Sequence, residues 1–374
     1  MLGGGIAGLA AAWALGRGGA EVELLEREPT LGAHSSGRNA AIFRCLHESV
    51  GSLPLALRSA ALLDELLGGR DAWLRPTGVL YVARTGAPLL ALERLARDHP
   101  LPYRTVGRDG LRKLAPALEG GAAECGLFCP AEGVMDTHAI LLALAAAVRA
   151  AGGRIRTGCA ATAILRDARG VCAVALESGE RLPCSSVVIA AGAWSAEVGA
   201  AAGAPLPLVP LRRHLAVLEP RPSIAPGGPV VWCLDDELYL RAEGGGVLAS
   251  PCDESPCPPG VPDTQGEALV TLGMKLARTA PQLADSGVRR TWAGLRTFAP
   301  DRAPVIGRDP QLPGLFWLAG LGGQGMSIGA AAGEMLATVA AGRPHALQQC
   351  YAPARWSGPP SGARPSLLRA DRVG

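Results

Sequence analysis

The apolar positions of this chain change period several times, and the changes divide it. From Ile6 to Leu15 the sequence is almost unbroken Ala, Leu and Trp. Gly18-Gly19 then closes the run as a helix C-cap would, and Val22–Glu26 follows as a short Val/Leu strand. Ser49–Leu67 reads as an amphipathic helix, Thr77–Val82 as a strand, and the stretches around Pro88–Asp98 and Arg108–Leu118 as helices. Asp136 or Thr137 caps a long helix to Ala151. Strands are expected at Arg154–Thr157, Ala161–Arg166 and Val171–Leu176, and a buried parallel strand at Val187–Ile189 ends in the small-residue turn Ala190–Ser195.

Between Pro205 and Ala280 the period is two, at Leu211–Leu218, Val230–Cys233, Leu238–Arg241 and Val247–Ser250. Such alternation predicts an antiparallel sheet with one face toward a cavity. A helix from about Thr264 to Leu283, a strand Val288–Trp292 and a helix Gly329–Val339 complete the pattern. The last residues, from about Tyr351 to Gly374, are rich in Pro, Gly and Arg and read as a disordered tail.

The first helix carries the first candidate chemistry. Gly3, Gly5 and Gly8 form G-x-G-x-x-G directly before it. Gly3 permits a tight turn, Gly5 lets backbone approach a pyrophosphate, and Gly8 lets the helix pack close. The N–H groups at the helix start, around Ile6 and Ala7, favour a phosphate. Glu26, followed by Arg27, stands where an acid accepts hydrogen bonds from a ribose. Only Met1 and Leu2 precede Gly3, so the strand that normally feeds such a loop is nearly absent. Either it lies upstream of Met1 or the sheet lacks its middle.

Composition changes this picture little. At 374 residues and 48% hydrophobic, the chain can bury a sizeable core. A net charge of +3 points to no nucleic-acid or other polyanion partner. The apolar start runs straight into the dinucleotide motif and leaves no signal peptide. Ile140–Val148 is too short to span a membrane, and a cytoplasmic location is expected. The ten cysteines lack a C-x-x-C pair and the six histidines form no cluster, so no metal site is expected.

Further motifs carry a resemblance. Ser35-Ser36-Gly37-Arg38-Asn39-Ala40, Val187-Val188-Ile189-Ala190-Ala191-Gly192-Ala193-Trp194, Gly294-Leu295-Arg296 with Pro300-Asp301, and Gly320–Ser327 follow the first glycines in order. Together they resemble the D-amino-acid-oxidase-like FAD oxidoreductases over nearly the whole chain. Within that family the nearest likeness is to bacterial D-amino acid dehydrogenases of the D-arginine type and to glycine oxidase. The resemblance implies an α/β fold in which a Rossmann-type βαβ domain interleaves with an antiparallel-sheet α+β substrate domain. On this reading residues 1–45, 135–205 and 288–345 bind the cofactor, and 46–134 and 206–287 bind substrate. It also implies non-covalent FAD held by Gly3, Gly5, Ile6, Ala7, Gly8, Glu26, Arg27, Ser35, Ser36, Gly37, Arg38, Asn39, Ala161, Ala191, Gly192, Trp194, Gly322, Gly323, Gln324, Gly325 and Met326.

The implied reaction oxidises the C–N bond of a D-amino acid, glycine or N-methyl amino acid to an imine and then a 2-oxo acid. Oxygen or a quinone-type carrier would be the acceptor. Arg296 is the candidate carboxylate clamp, because a guanidinium binds carboxylate bidentately. Arg213 and Tyr239 match residues that face substrate in the D-arginine subgroup. That subgroup has an acid where this chain has Val79, and a histidine and a tyrosine where it has Ile42 and His47, which favours a neutral or hydrophobic substrate. Two other readings stay open: a truncated or degenerate non-catalytic relative, and an NAD(P)-dependent dehydrogenase using the first motif alone.

Overall fold

The computed structural model describes residues 1–47 and 52–356. A parallel sheet forms around a single residue. Leu2 bridges Leu25 on one side and Ile189 on the other, both in parallel sense. Beyond Leu25, the strand Glu23–Leu25 pairs in parallel with Arg154–Arg156. On the other side, Val187–Ile189 pairs in parallel with Leu315–Ala319, and antiparallel Val305–Arg308 closes that edge. The join rests on four backbone hydrogen bonds of 2.9 Å: Leu2 N–H to Val188 O, Ala190 N–H to Leu2 O, Gly3 N–H to Leu25 O and Leu25 N–H to Met1 O. Residues 1–3 thus occupy the central position of this sheet. The Met1 ammonium donates to Glu23 O, and burial lowers its pKa to about 6.

One face of this sheet carries helices. Ile6–Arg17 packs on Gly325–Ala340 and on Thr137–Ala150, with Ser52–Leu67 laid against Gly325–Ala340. Small residues set the closest crossing: a Cβ at Gly333 would sit 2.5 Å from the Ala10 carbonyl carbon. That helix begins at Gly325, four residues earlier than its pattern predicts, because its glycine-rich first turns pack on Ile6. The opposite face is covered by the antiparallel strands Ala161–Asp167, Gly170–Leu176 and Arg181–Pro183. Asp136 caps its helix as expected, accepting from Ala139 N–H at 2.9 Å.

A second, larger sheet stands over the first. Its central strands, Val209–Leu218, Gly246–Ser250, Leu238–Glu243, Val230–Cys233 and Val79–Ala83, run on to Cys125–Cys129 and Arg104–Gly107. It is not purely antiparallel, since Val230–Cys233 and Val79–Ala83 pair in parallel. Alternation decides its faces. Leu238, Leu240, Ala216 and Leu218 enter a core shared with Leu111, Leu272 and Leu276, while Tyr239, Leu215 and Val217 face the other way.

Two expectations need correction. Val288–Phe298 lies in this larger sheet, paired antiparallel from Val209–Phe298 to Leu218–Val288, so it belongs with the roof and not with the cofactor-binding part. The strand continues through Gly294–Phe298, where every residue is buried and no alternation marks it in the sequence. The presumed tail is ordered at its start: Tyr351 is fully buried, and Arg355 donates to Asp301 and to the carbonyls of Ala303 and Pro304. The rest of that tail, and the first residues of the Ser49–Leu67 helix, lie outside the described residues. Among the described residues no helix is long and apolar enough to cross a membrane, and no group of His, Cys, Asp and Glu has the arrangement of a metal site.

Candidate active site

A single cavity of about 2090 Å³ runs between the two sheets. Its floor is built from the first glycine loop. The Ser36 hydroxyl accepts from Ile6 N–H at 2.9 Å and so joins the second loop to the start of the first helix. Ser35 donates to Leu295 O at 2.8 Å, tying the same loop to the roof. Asn39 accepts from Ala41 N–H at 2.6 Å and donates to Ser36 O, which stabilises the left-handed φ of 54° at Ala41. Glu26 receives Gly4 N–H at 2.6 Å and Glu28 N–H at 2.8 Å, fixing its carboxylate at the strand end. At this end of the cavity Trp194 is sandwiched, with the Arg27 guanidinium 3.8 Å from its ring centre and the His34 ring at 4.6 Å.

Most of the expected cofactor residues line this cavity; Gly8, Gly37 and Arg38 do not. The two glycines serve the loops from within. A Cβ at Gly8 would lie 1.8 Å from Gly3 O, and one at Gly37 2.6 Å from Gly32 O. Arg38 contributes through its backbone, its carbonyl accepting from Arg296 at 3.3 Å. Replacing Ser36 by alanine orphans the Ile6 N–H. A loss of about 1 kcal/mol of stability is expected, as for an N-cap, with weaker flavin retention on dilution. An unchanged melting temperature would contradict this role.

The roof supplies the charged groups. Arg296, Arg213 and Tyr239 all line the cavity, as does Arg44, which the sequence motifs do not single out. Arg296 is buried and, among the described residues, donates to the carbonyls of Leu295 and Arg38 and forms no ion pair; burial lowers its pKa below the ordinary arginine value. Arg213 donates to Asp253 O at 2.9 Å and to Glu254 at 2.6 Å. Burial works against its charge, yet the groups around it, Glu254 and Asp253 among them, hold its pKa above the ordinary value. Glu254 also takes both nitrogens of Arg302, at 2.7 and 3.0 Å. His214 keeps this loop in place, its Nδ1 2.6 Å from Asp253 and its Nε2 accepting Gln265 N–H at 3.0 Å. Burial raises the Tyr239 phenol, so at neutral pH it remains a donor. Tyr239 stacks on Trp232 at 4.9 Å, its direct cross-strand partner.

Ile42 and His47 also border the cavity, whereas Val79 is fully buried in the sheet and borders nothing. The segment that carries Arg44 and His47 is anchored by a buried acid. Glu132 accepts from Cys45 N–H, from Leu46 N–H at 3.0 Å and from the Tyr81 hydroxyl at 2.8 Å. Burial raises its pKa to about 7, against 4.5 for a free glutamate. Between those values the folded chain binds this proton and the unfolded one does not, so the contribution of Glu132 to stability is full below pH 4.5 and is lost as pH rises through 7. The loss is roughly 3 kcal/mol across that window. Glu132→Gln, which can still accept from both amides, is expected to flatten that slope in denaturant titrations from pH 5 to pH 8. An unaltered slope would assign the dependence to other groups.

Comparison with known proteins agrees with this geometry. Residues 2–339 match the family described as DAO, FAD dependent oxidoreductase. Sarcosine dehydrogenase of Mus musculus is 28% identical over 90% of this chain, and the match spans only 38% of that enzyme's length. Glycine oxidase of Geobacillus kaustophilus is 25% identical over 86% of each chain. The crystal structure of L-proline dehydrogenase from P. horikoshii superposes with a TM-score of 0.86 at 23% identity, covering 95% of this chain and 96% of that one, and so shares its fold. The residues present fit FAD. The glycine cradle leaves the helix start open to the cavity, a Cβ at Gly192 or Gly323 on the cavity border would meet nothing within 4 Å, and Glu26 stands at the strand end.

Proposed function

Because this chain belongs to the DAO family of FAD-dependent oxidoreductases, we propose that it oxidises the C–N bond of a small amino acid or N-methyl amino acid. FAD, when bound, supplies the acceptor for the hydride that leaves the α-carbon. Gly3, Gly5, Ile6, Ser36 and Glu26 would hold its dinucleotide part, and Gly322–Met326 would border its ring. The other tasks fall to the roof. Arg296, a buried guanidinium without an acid partner, binds the substrate carboxylate. Arg213 is fixed by Glu254 and adds a second positive group beside it. Tyr239, held protonated, donates to the same carboxylate and orients the α-carbon toward the cavity floor.

The burial of Arg296 and Tyr239 helps keep bulk water away from the reacting bond. Water then hydrolyses the released imine to a 2-oxo acid and an amine or ammonia. Oxygen or a quinone-type carrier takes the electrons afterwards.

The observation that carries this reading is the buried, acid-free Arg296 in the same cavity as the glycine cradle. The names of the similar enzymes, sarcosine dehydrogenase, glycine oxidase and L-proline dehydrogenase, also describe substrates with nitrogen next to a carboxylated carbon. An anaerobic absorbance scan of the purified holoprotein with D-amino acids, glycine and sarcosine tests it. Bleaching of the flavin bands by one of these is expected. Persistent bands with every one of them would overturn the reading.

A further inference from the structure

Arg44 sits in the cavity wall with its guanidinium 3.7 Å from the centre of the Trp232 ring and 5.9 Å from that of Tyr81. Among the described residues it forms no ion pair. Three acids of this region are committed elsewhere. Glu254 is shared between Arg213 and Arg302, and Asp301 is paired with Arg355. Glu132, the acid whose field reaches Arg44, spends its oxygens on Cys45 N–H, Leu46 N–H and the Tyr81 hydroxyl. Arg44, Arg213 and Arg296 line the same cavity, together with Tyr239 and Cys252.

A guanidinium stacked flat on an indole keeps its N–H edges free in the ring plane, the geometry that receives a carboxylate in two parallel bonds. Trp232 in turn is locked by stacking on Tyr239. The position of Arg44 is set from behind, since the two amides that follow it in the chain are bound to Glu132. A substrate with one carboxylate engages Arg296 and leaves Arg44 facing the cavity unpaired.

Resting on the proposed oxidation at this site, we propose that the substrate carries a second carboxylate, in its side chain or on its nitrogen substituent, and that Arg44 binds it. It differs from the neutral or hydrophobic side chain that Val79, Ile42 and His47 suggest in the sequence: Val79 is buried away from the cavity, while Ile42 and His47 line it with Arg44.

Perturbation of the flavin spectrum of the holoprotein gives the test without turnover. The probes are glutarate and butyrate, which have similar carbon skeletons and differ in the second carboxylate. On the unaltered chain glutarate is expected to bind at least roughly tenfold more tightly than butyrate. Arg44→Gln should bring the two to within about threefold, and Arg44→Lys should restore part of the preference through charge without the bidentate fork. Retained flavin and an unchanged melting temperature identify folded variants, and the unaltered chain alone already decides the first point. Equal affinity for the two probes on that chain would overturn the proposal, as would an Arg44→Gln variant that keeps the preference. Because no oxidation is read, a preference for glutarate without bleaching by any amino acid would count against the reaction and not against the second carboxylate site.

Discussion

Substitution of Arg296 by methionine is expected to lower kcat/KM for the amino acid substrate by roughly 10²- to 10³-fold while flavin stays bound. The size follows from what the guanidinium lacks. It donates to two backbone carbonyls and faces no acid, in a place where burial already lowers its pKa. A carboxylate entering the cavity therefore finds a cation that little else neutralises, in surroundings where the pair is weakly screened. Methionine fills a similar volume and removes a buried charge, so the fold should tolerate it. Arg213 cannot take over, because Glu254 and the Asp253 carbonyl already occupy it. Anaerobic reduction followed at rising substrate concentration separates weaker binding from slower transfer. A change of less than about threefold in kcat/KM would remove Arg296 from the site.

The second large effect belongs to a residue that touches neither ligand. Gly8→Ala would bring a methyl group 1.8 Å from Gly3 O and 3.0 Å from Gly3 C. Gly3 cannot yield. Its φ is 109°, its N–H is bonded to Leu25 O, and its own Cβ position lies 2.4 Å from Ala190 O. Since residues 1–3 join the two halves of the parallel sheet, moving Gly3 strains that join as well. A loss of at least about 3 kcal/mol and failure to retain flavin are expected. Gly323→Ala is the matched control: it borders the cavity with nothing within 4 Å of the added carbon, so the melting temperature of the flavin-free protein should not move. A Gly8→Ala protein that purifies yellow with an unchanged melting temperature would refute the packing role.

Local signals in the sequence are faithful here, and the residues it hides are those that only strand register assembles. The glycine spacing, the Asp136 cap and the period-two runs are all local, and each forms close to where it is expected. Arg44 is different. It lies between Phe43 and Cys45 in an apolar stretch with no motif, and it acquires meaning only from Trp232, far along the chain. Trp232 in turn reaches Tyr239 through antiparallel pairing. Glu132 looks like a turn acid until Tyr81 and the Cys45 and Leu46 amides close around it. Val288–Phe298 misleads for the opposite reason, because its second half is buried at every position and carries a recognisable motif in place of an alternating pattern. Arg38 belongs to a motif by its side chain but serves the site by its carbonyl.

The cavity of about 2090 Å³ ties cofactor binding to the stability of the folded chain, because the glycine loop and the roof arginines line the same space. Free FAD at a hundred times its dissociation constant contributes about 2.7 kcal/mol, which lowers the unfolded fraction about a hundredfold. FAD concentration thus sets part of the margin by which the folded chain is favoured, and the melting temperature is expected to climb with added FAD.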